Sequence, residues 1–402
     1  MTRERNIVLM LTIAMLATAC GSNDSSLFTE TEAETETDVR ALVAQLASDE
    51  MAGRDNQSPG SLLAQTFLVG ELSKFAQPAF AATIGEDGYL QQYDLGTNIL
   101  AIVPGGELDN EYVMIGAHYD HLGNDCDGIS TEDNICNGAS DNAAGVAAVI
   151  DIVRSITASG TPRRSIIVTL WDGEEDNFDG SRYYVDNPIV PLEQTIAYVN
   201  FDIQGANLLP SLRNSTILVG AETGGANLID VATRARAQSS LDTVMLSLLF
   251  GQGRSDHAIL VGSGVPSVFF TDANNGCYHT VKDDVDAVDF PKLTQQIITA
   301  DALTRELIST DDVPVFDAAA PIVTYQDAME LLRIVESAEL DFGLLGTQQQ
   351  LDSEQFLSDL QGIVGAGPDA FGDAAVGTLL GGAAALVAAL AAVDCDPFLP
   401  AA

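Results

Sequence analysis

The chain has 402 residues, 46% of them hydrophobic. That is enough to bury a large core, in two or three domains or in one large domain with an appendage. With 58 acidic against 17 basic residues the formal net charge is -41, which excludes nucleic acid and anionic membrane surfaces as electrostatic partners. The charge favours solubility and carries no information about fold.

The first twenty residues, MTRERNIVLMLTIAMLATAC, combine a short basic start (Arg3, Arg5), an apolar run and small residues before Cys20. This is the grammar of a signal sequence for export. Its apolar run of about 13 residues is short of the ~20 needed to span a bilayer. A cysteine preceded by LATA resembles a bacterial lipobox, although Ala17 stands where leucine is usual, so Cys20 is the expected lipidation site. The protein is then a cell-envelope lipoprotein or, without the lipid, secreted. Lipid on Cys20 is the only membrane attachment this reading supplies. Residues 21–38, GSNDSSLFTETEAETETD, are acidic with little to bury and read as a disordered tether.

From residue 39 the chain reads as globular. DVRALVAQLAS has the pattern of an amphipathic helix, and SPGSLLAQTFLVGELSKF that of another, with SPG as its start signal. Apolar runs rich in β-branched residues then alternate with helical segments. The runs are NILAIVPG (98–105), YVMIGAH (112–118), SIIVTLW (165–171), IAYVNFD (196–202), STILVG (215–220) and VPSVFF (265–270); NAAGVAAVIDIVRSI (142–156) is a helix between them. Continuous apolar strands separated by helices predict an α/β fold over residues 39–311, a mixed, mostly parallel sheet with helices on both faces. Ligands of such sheets sit beyond the carboxyl ends of the strands.

Residues 312–402 have helical periodicity without strand runs and are expected to be a separate helical appendage of unknown role. Its stretch 374–393 has no charge. Being mostly Ala and Gly and flanked by Asp373 and Asp394, it is expected to be a packed helix rather than a membrane span. With Cys20 assigned to lipid, four cysteines remain. In an exported protein they suggest two disulfides. Cys126 and Cys136 are nearest in sequence and form the favoured pair, which leaves Cys277 and Cys395.

The strand ends carry the chemistry. VMIGAHYDHLG delivers His118 and Asp120; GASDNAAG sets Asp141 at the start of a helix; TLWDGEED delivers Glu174 and Glu175; YVNFD delivers Asp202; and VPSVFFTDANNGCYHT delivers Tyr278 and His279. So many carboxylates in one low-dielectric cleft repel one another unless cations neutralise them. Two histidines with several carboxylates and no cysteine suit borderline divalent ions, zinc first. A carboxylate able to bridge suggests a pair of metals about 3.5–4 Å apart.

The spaced set HYDHLG, ASDNAAG, EED followed by GS, NFD and YH resembles the co-catalytic dizinc aminopeptidases, relatives of glutamate carboxypeptidase and the transferrin receptor. LASDEMAGR, upstream, is similar to their opening segment, and the likeness covers roughly residues 45 to 305. The resemblance implies a zinc peptidase domain over 39–311 with two zinc ions. His118 and Asp202 would hold one, Glu175 and His279 the other, and Asp141 would bridge them. Asp120 would orient His118. Glu174 would be the general base for the water shared by the metals and would pass its proton to the leaving amine. Tyr278 would donate to the oxyanion. The implied reaction is hydrolysis of the N-terminal peptide bond of peptides with a free N-terminus. Where many relatives have glycine two residues after the glutamate pair, this chain has Asn177, the side chain best able to replace glycine in a left-handed turn.

Other residues have plainer readings. His121 is expected to be a loop histidine or one that supports a ligand, and His257, in GRSDHAIL, a cleft-lining or hydrogen-bonded one. Asp176 and Asp179 read as solvated turn residues, Trp171 as core, and Glu132, Asp133 and Asp283 to Asp286 as acidic surface. Competing functions keep the fold and change the use: a carboxypeptidase, a glutaminyl-cyclase-like acyltransferase, or a receptor-like module without catalysis. The full ligand set weighs against the last two.

Overall fold

A computed structural model describes residues 30–80 and 85–400. The signal sequence with Cys20, and the tether as far as residue 29, lie outside the described residues. In chain order the elements that matter are α1 (Glu30–Leu46), α2 (Pro59–Leu72), β1 (Gln77–Pro78), β2 (Leu90–Tyr93), β3 (Gly96–Val103), β4 (Leu108–His118), α3 (Ala144–Ala158), β5 (Arg164–Trp171), α4 (Asp179–Asp186), β6 (Thr195–Phe201), β7 (Ser215–Val219), α5 (Gly225–Ala235), β8 (Asp242–Leu246), α6 (His257–Gly262), β9 (Ser267–Thr271), α7 (Phe290–Ser309), α8 (Tyr325–Ala338), α9 (Thr347–Ala366) and α10 (Asp373–Ala391).

The strands form one sheet in the order β1-β3-β5-β4-β6-β9-β7-β8, with β2 paired to β3. Its centre is parallel: β4 pairs with β5 and β6, and β6 with β9. Antiparallel pairs, β3 with β5 and β7 with β9, flank that centre. The expected mixed, mostly parallel α/β sheet is therefore present. Strand β1 has two residues and β2, LQQY, is half glutamine, so neither is legible as an apolar run; β8, DTVML, is an additional edge strand.

Side-chain alternation explains why both faces are covered. Val113, Ile115 and Ala117 of β4 and Ile166, Val168 and Leu170 of β5 join one apolar cluster with residues of α1, α3 and α7. Met114, Ile167, Trp171 and Tyr198 enter a second cluster on the opposite face, with Tyr184 of α4 and Leu260 of α6. Trp171 is fully buried and donates to the Tyr198 hydroxyl at 2.8 Å, a core residue as expected. From β4 the chain crosses by α3 to β5 on one side; from β5 it crosses by α4 to β6 on the other. The loops diverge at the carboxyl end of β4 and open a crevice there.

Two boundaries differ from expectation. Helix α1 begins at Glu30, so the second half of the stretch read as a tether is helical. Glu32 and Glu34 lie in its first turns, where a helix dipole favours negative charge. Tertiary contacts also hold it: Gln295 of α7 donates to Glu32 at 3.0 Å, and Arg154 of α3 pairs with Asp38 at 2.8 Å. The segment 312–402 is helical as expected, but its core is shared with the sheet. Leu331, Ile334, Phe356 and Leu390 pack with Leu209 and with Val219, Val244 and Leu246 of the β7–β8 edge. The stretch expected to be a packed helix, α10, is long and apolar enough to cross a membrane, and only 17% of its most apolar window is buried here. It packs through Leu379, Ala389 and Leu390 and leaves a face of Ala and Gly outward.

Candidate metal centre

His118 is the last residue of β4, and Asp202 directly follows β6. Glu174 and Glu175 lie just past β5, in a turn that runs into α4. The turn needs left-handed backbone at Gly173 (φ 70°), Asn177 (φ 76°) and Phe178 (φ 63°); asparagine meets at position 177 the demand that glycine meets in many relatives. Within the turn the Phe178 amide donates to the Glu174 carbonyl at 3.0 Å and the Asp179 amide to that of Gly173 at 2.9 Å. The Asp120 carboxylate accepts the amides of both glutamates, at 3.2 and 3.3 Å. The backbone is thus anchored on one side, and the two side chains reach the crevice together.

Asp141 stands in an irregular turn, residues 139–143, that leads into α3. Gly138 (φ 57°) opens it, and a methyl group there would overlap the Asp141 carbonyl oxygen. Asp283 fixes the loop from outside: its two carboxylate oxygens accept the amides of Ser140 (2.8 Å) and Asp141 (3.0 Å). Read from sequence as surface, Asp283 is 1% exposed. The acidic run around it gave no sign of this, because its partners are backbone amides more than 140 residues away. Arg54, the last residue of LASDEMAGR, is buried as well. Its guanidinium donates to the carbonyls of Tyr119 (2.8 Å), Leu46 (2.6 Å), Asn137 (2.7 Å) and Gly138 (3.0 Å), tying together the loops that carry His118 and Asp141.

The expected ligands converge. Nε2 of His118 lies 3.2 Å from Asp141 Oδ1 and 3.3 Å from Asp202 Oδ1. Nε2 of His279 lies 3.2 Å from Asp141 Oδ2 and 3.2 Å from Glu175 Oε2. One oxygen of Asp141 therefore faces each histidine. His118 turns Nδ1 toward Asp120, 3.2 Å from its carbonyl and 3.5 Å from its carboxylate, which leaves Nε2 for the crevice. His121 contacts Glu175, with Nδ1 2.8 Å from Oε1. It sits close enough to Asp141 and Glu175 to be a third donor on that side, and its Nε2 is buried without a hydrogen-bond partner. Tyr278 stacks on the His279 ring at 3.7 Å and lines the crevice. His257 does not line it: the ring is buried against Phe269 at 4.3 Å with neither nitrogen hydrogen-bonded. Asp176 is exposed, and Asp179 starts α4.

These donors fit a metal. His279 Nε2 is within ion-pair distance of both carboxylates yet makes a directed hydrogen bond to neither. At His279 the ring nitrogen and the two carboxylates face a shared location rather than pairing, as oxygen and nitrogen ligands do around a borderline divalent ion. Electrostatics agree. Burial would push the Asp141 carboxyl up, but His118 and His279 hold it well below the usual carboxylate range. Burial and Asp141 push Glu175 the same way, and His121 and His279 bring it down to about 2. Burial would depress His279, which its two carboxylates raise to about 10. Every one of these shifts expresses a demand for positive charge among the carboxylates. Glu174 differs: burial first, then Asp202, Asp256 and Glu175, push its carboxyl well up against the pull of His118.

A cavity of about 70 Å³ opens at this centre, lined by Asp141, Glu174, Glu175, Asp202 and Tyr278 and, on another side, by Phe250 and Val387. Beside it lies an apolar hollow of about 100 Å³ between α8, α10 and the β7–β8 edge. The two share Phe250, Gln252, Thr271, Ala273 and Val387 as walls. A residue of the C-terminal helical region thus reaches the site.

A family model, peptidase family M28, matches residues 98–302, just over half of the chain. Among curated proteins, a vacuolar membrane protease of Penicillium rubens is 28% identical over 243 residues, which is 54% of this chain and 22% of that protein. The chain thus spans about a fifth of that relative's length. Among solved structures, the LapA aminopeptidase of Legionella pneumophila superposes with a TM-score of 0.52 at 18% identity, over 70% of this chain and 75% of that one. A glutaminyl cyclase of Porphyromonas gingivalis gives 0.53 at 17% identity, over 67% and 96%. At such identities the likeness is one of fold.

Proposed function

The chain belongs to peptidase family M28, and on that premise we propose that it is a two-zinc exopeptidase that removes the N-terminal residue of peptides. The observation that carries this reading is the position of Asp141, with one carboxylate oxygen 3.2 Å from His118 Nε2 and the other 3.2 Å from His279 Nε2. One carboxylate between two imidazoles is what a bridging ligand requires. His118 and Asp202 complete one position, Glu175 and His279 the other. The charges of Asp141, Glu174, Glu175 and Asp202 balance those of two divalent ions. Zinc bound there supplies a Lewis acid that polarises the scissile carbonyl and eases deprotonation of water.

The chain's own groups do the rest. Glu174, a carboxylate made more basic by burial, accepts a proton as water oxygen attacks the carbonyl carbon. It returns the proton to the nitrogen as the C–N bond breaks, so the amine leaves neutral. The Tyr278 hydroxyl, in the cavity wall, donates to the oxygen that gains negative charge. Asp120 holds the His118 ring and both glutamate amides, so that base and ligand keep their relative positions. The adjoining apolar hollow, comparable in scale to cavities that accept an aromatic ring, favours a bulky apolar side chain at the substrate's N-terminus. Export, through the first twenty residues, is consistent with the two cystine bridges.

Assay of the purified protein on a panel of aminoacyl-anilides, with and without a chelator, tests the reading. Chelator-sensitive release, greatest for leucyl and phenylalanyl substrates, is expected. Equal rates with and without chelator would refute the metal mechanism, and activity restricted to N-terminal glutamine cyclisation would favour the acyltransferase branch.

A further inference from the structure

We infer that residues 393–398, which follow α10, position His279 for the metal, so that the C-terminal segment is a working part of the metal centre. This rests on the metal site proposed above. His279 stands farther from the sheet than His118 and Asp202 do. His118 ends a central strand and Asp202 directly follows one, whereas His279 lies in a loop well beyond Thr271, where β9 stops. Its side chain is 30% exposed against 1% for His118. Its backbone has φ 55°, a left-handed conformation that a non-glycine residue keeps only where its surroundings impose it.

The C-terminal segment imposes it from both sides. Cys277, two residues before the ligand, is bonded to Cys395 across 118 residues of sequence. Gly276 lies so close to the segment that a methyl group there would overlap the Val393 carbonyl oxygen. After the ligand, Lys282 reaches back to Asp394 (2.6 Å) and Asp396 (3.0 Å). Asn207 extends the grip: its amide donates to the Phe398 carbonyl at 3.2 Å, while its own carbonyl accepts the side chain of Asn275 at 2.8 Å. On the opposite flank the loop closed by Cys126 and Cys136 contributes two backbone hydrogen bonds, the Asp127 amide donating to the His279 carbonyl at 2.9 Å and the Val281 amide to the Asp127 carbonyl at 3.0 Å. The family match ends at residue 302, and residues 393–398 lie outside it.

The test uses the full chain as a Cys277→Ser/Cys395→Ser double variant and, separately, Lys282→Met. Zinc is stripped and returned against a competing chelator, and the two binding steps are read apart, with cobalt absorption reporting the geometry of the ion at the His279 position. Retained circular dichroism, a roughly 10–100-fold weaker step at Asp141, Glu175 and His279, and an unchanged step at His118 and Asp202 are expected for the double variant. Lys282→Met should weaken the same step by less. Two unchanged steps, or two weakened in parallel, would overturn the inference. If the double variant does not fold, Lys282→Met carries the comparison, with the same selective loss expected. Wild-type protein that takes up no zinc would sink the metal reading along with this one. Two tight ions in the wild type with indifferent variants would sink this one alone.

Discussion

The carboxylate of Asp120 accepts the backbone amide of Glu174 at 3.2 Å, and its other oxygen takes the amide of Glu175 at 3.3 Å. One side chain thereby aligns two adjacent glutamates that would otherwise repel each other, and it also faces Nδ1 of His118. Asp120→Ala should therefore loosen ligand and base together. We expect zinc affinity to fall roughly 10–100-fold, with Asp120→Asn recovering part of it. Chelator competition on both variants checks this; equal losses would mean that only the negative charge matters.

Replacing the base without disturbing the ligands separates their roles. Glu174→Gln should keep the fold and the full zinc content while turnover drops about 10²–10⁴-fold. Metal content by elemental analysis, alongside kcat, makes the comparison. Glu175→Gln should instead lose metal.

Asp283 supports Asp141 through two backbone amides in a buried setting. Asp283→Ala leaves both amides unpaired, at about 1–3 kcal/mol for each unsatisfied group. Thermal unfolding of the metal-free protein should register this loss. An unchanged midpoint would mean that water replaces the carboxylate.

His257 gives the fold an acid sensitivity of its own. Its burial depresses the imidazole from 6.5 to about 3. Between those values the unfolded chain holds a proton that the folded chain does not. The group therefore contributes its full stability above pH 6.5 and loses it as pH falls toward 3, at up to about 1.4 kcal/mol per pH unit. In urea titrations across this range His257→Phe, which keeps a ring against Phe269, should flatten the slope by that amount. An identical slope would assign the acid sensitivity to the buried carboxylates.

Val387 of α10 walls both the metal cavity and the apolar hollow. Val387→Phe should fill part of the hollow and raise KM for leucyl substrates about tenfold relative to alanyl ones. A uniform change across substrates would argue that the hollow takes no side chain.

Much was legible in the sequence because it is local. A continuous apolar run followed at once by His, Asp or Glu-Glu marks a parallel strand and the residue at its carboxyl end, so His118, Asp202 and the glutamate pair could be found from the linear order. Asn177 was legible too, since a left-handed turn has few side chains to choose from. Asp283 and Arg54 were not. Their work is to satisfy backbone groups brought near by folding, and an acidic run or one arginine in a loop looks the same whether solvated or buried.

By itself the sequence determined which side chains stand at the strand ends, hence a centre rich in carboxylate and imidazole. Strand period and turn chemistry are properties of neighbouring residues. Tertiary structure alone decided that Asp141 lies between two histidines, that His121 leans on Glu175, and that a helical stretch read as an appendage reaches the cleft through Val387 and is bonded to the His279 loop. Those are distances between segments far apart in the chain. They follow from how the sheet twists and where its edge must be covered, and no local pattern records them.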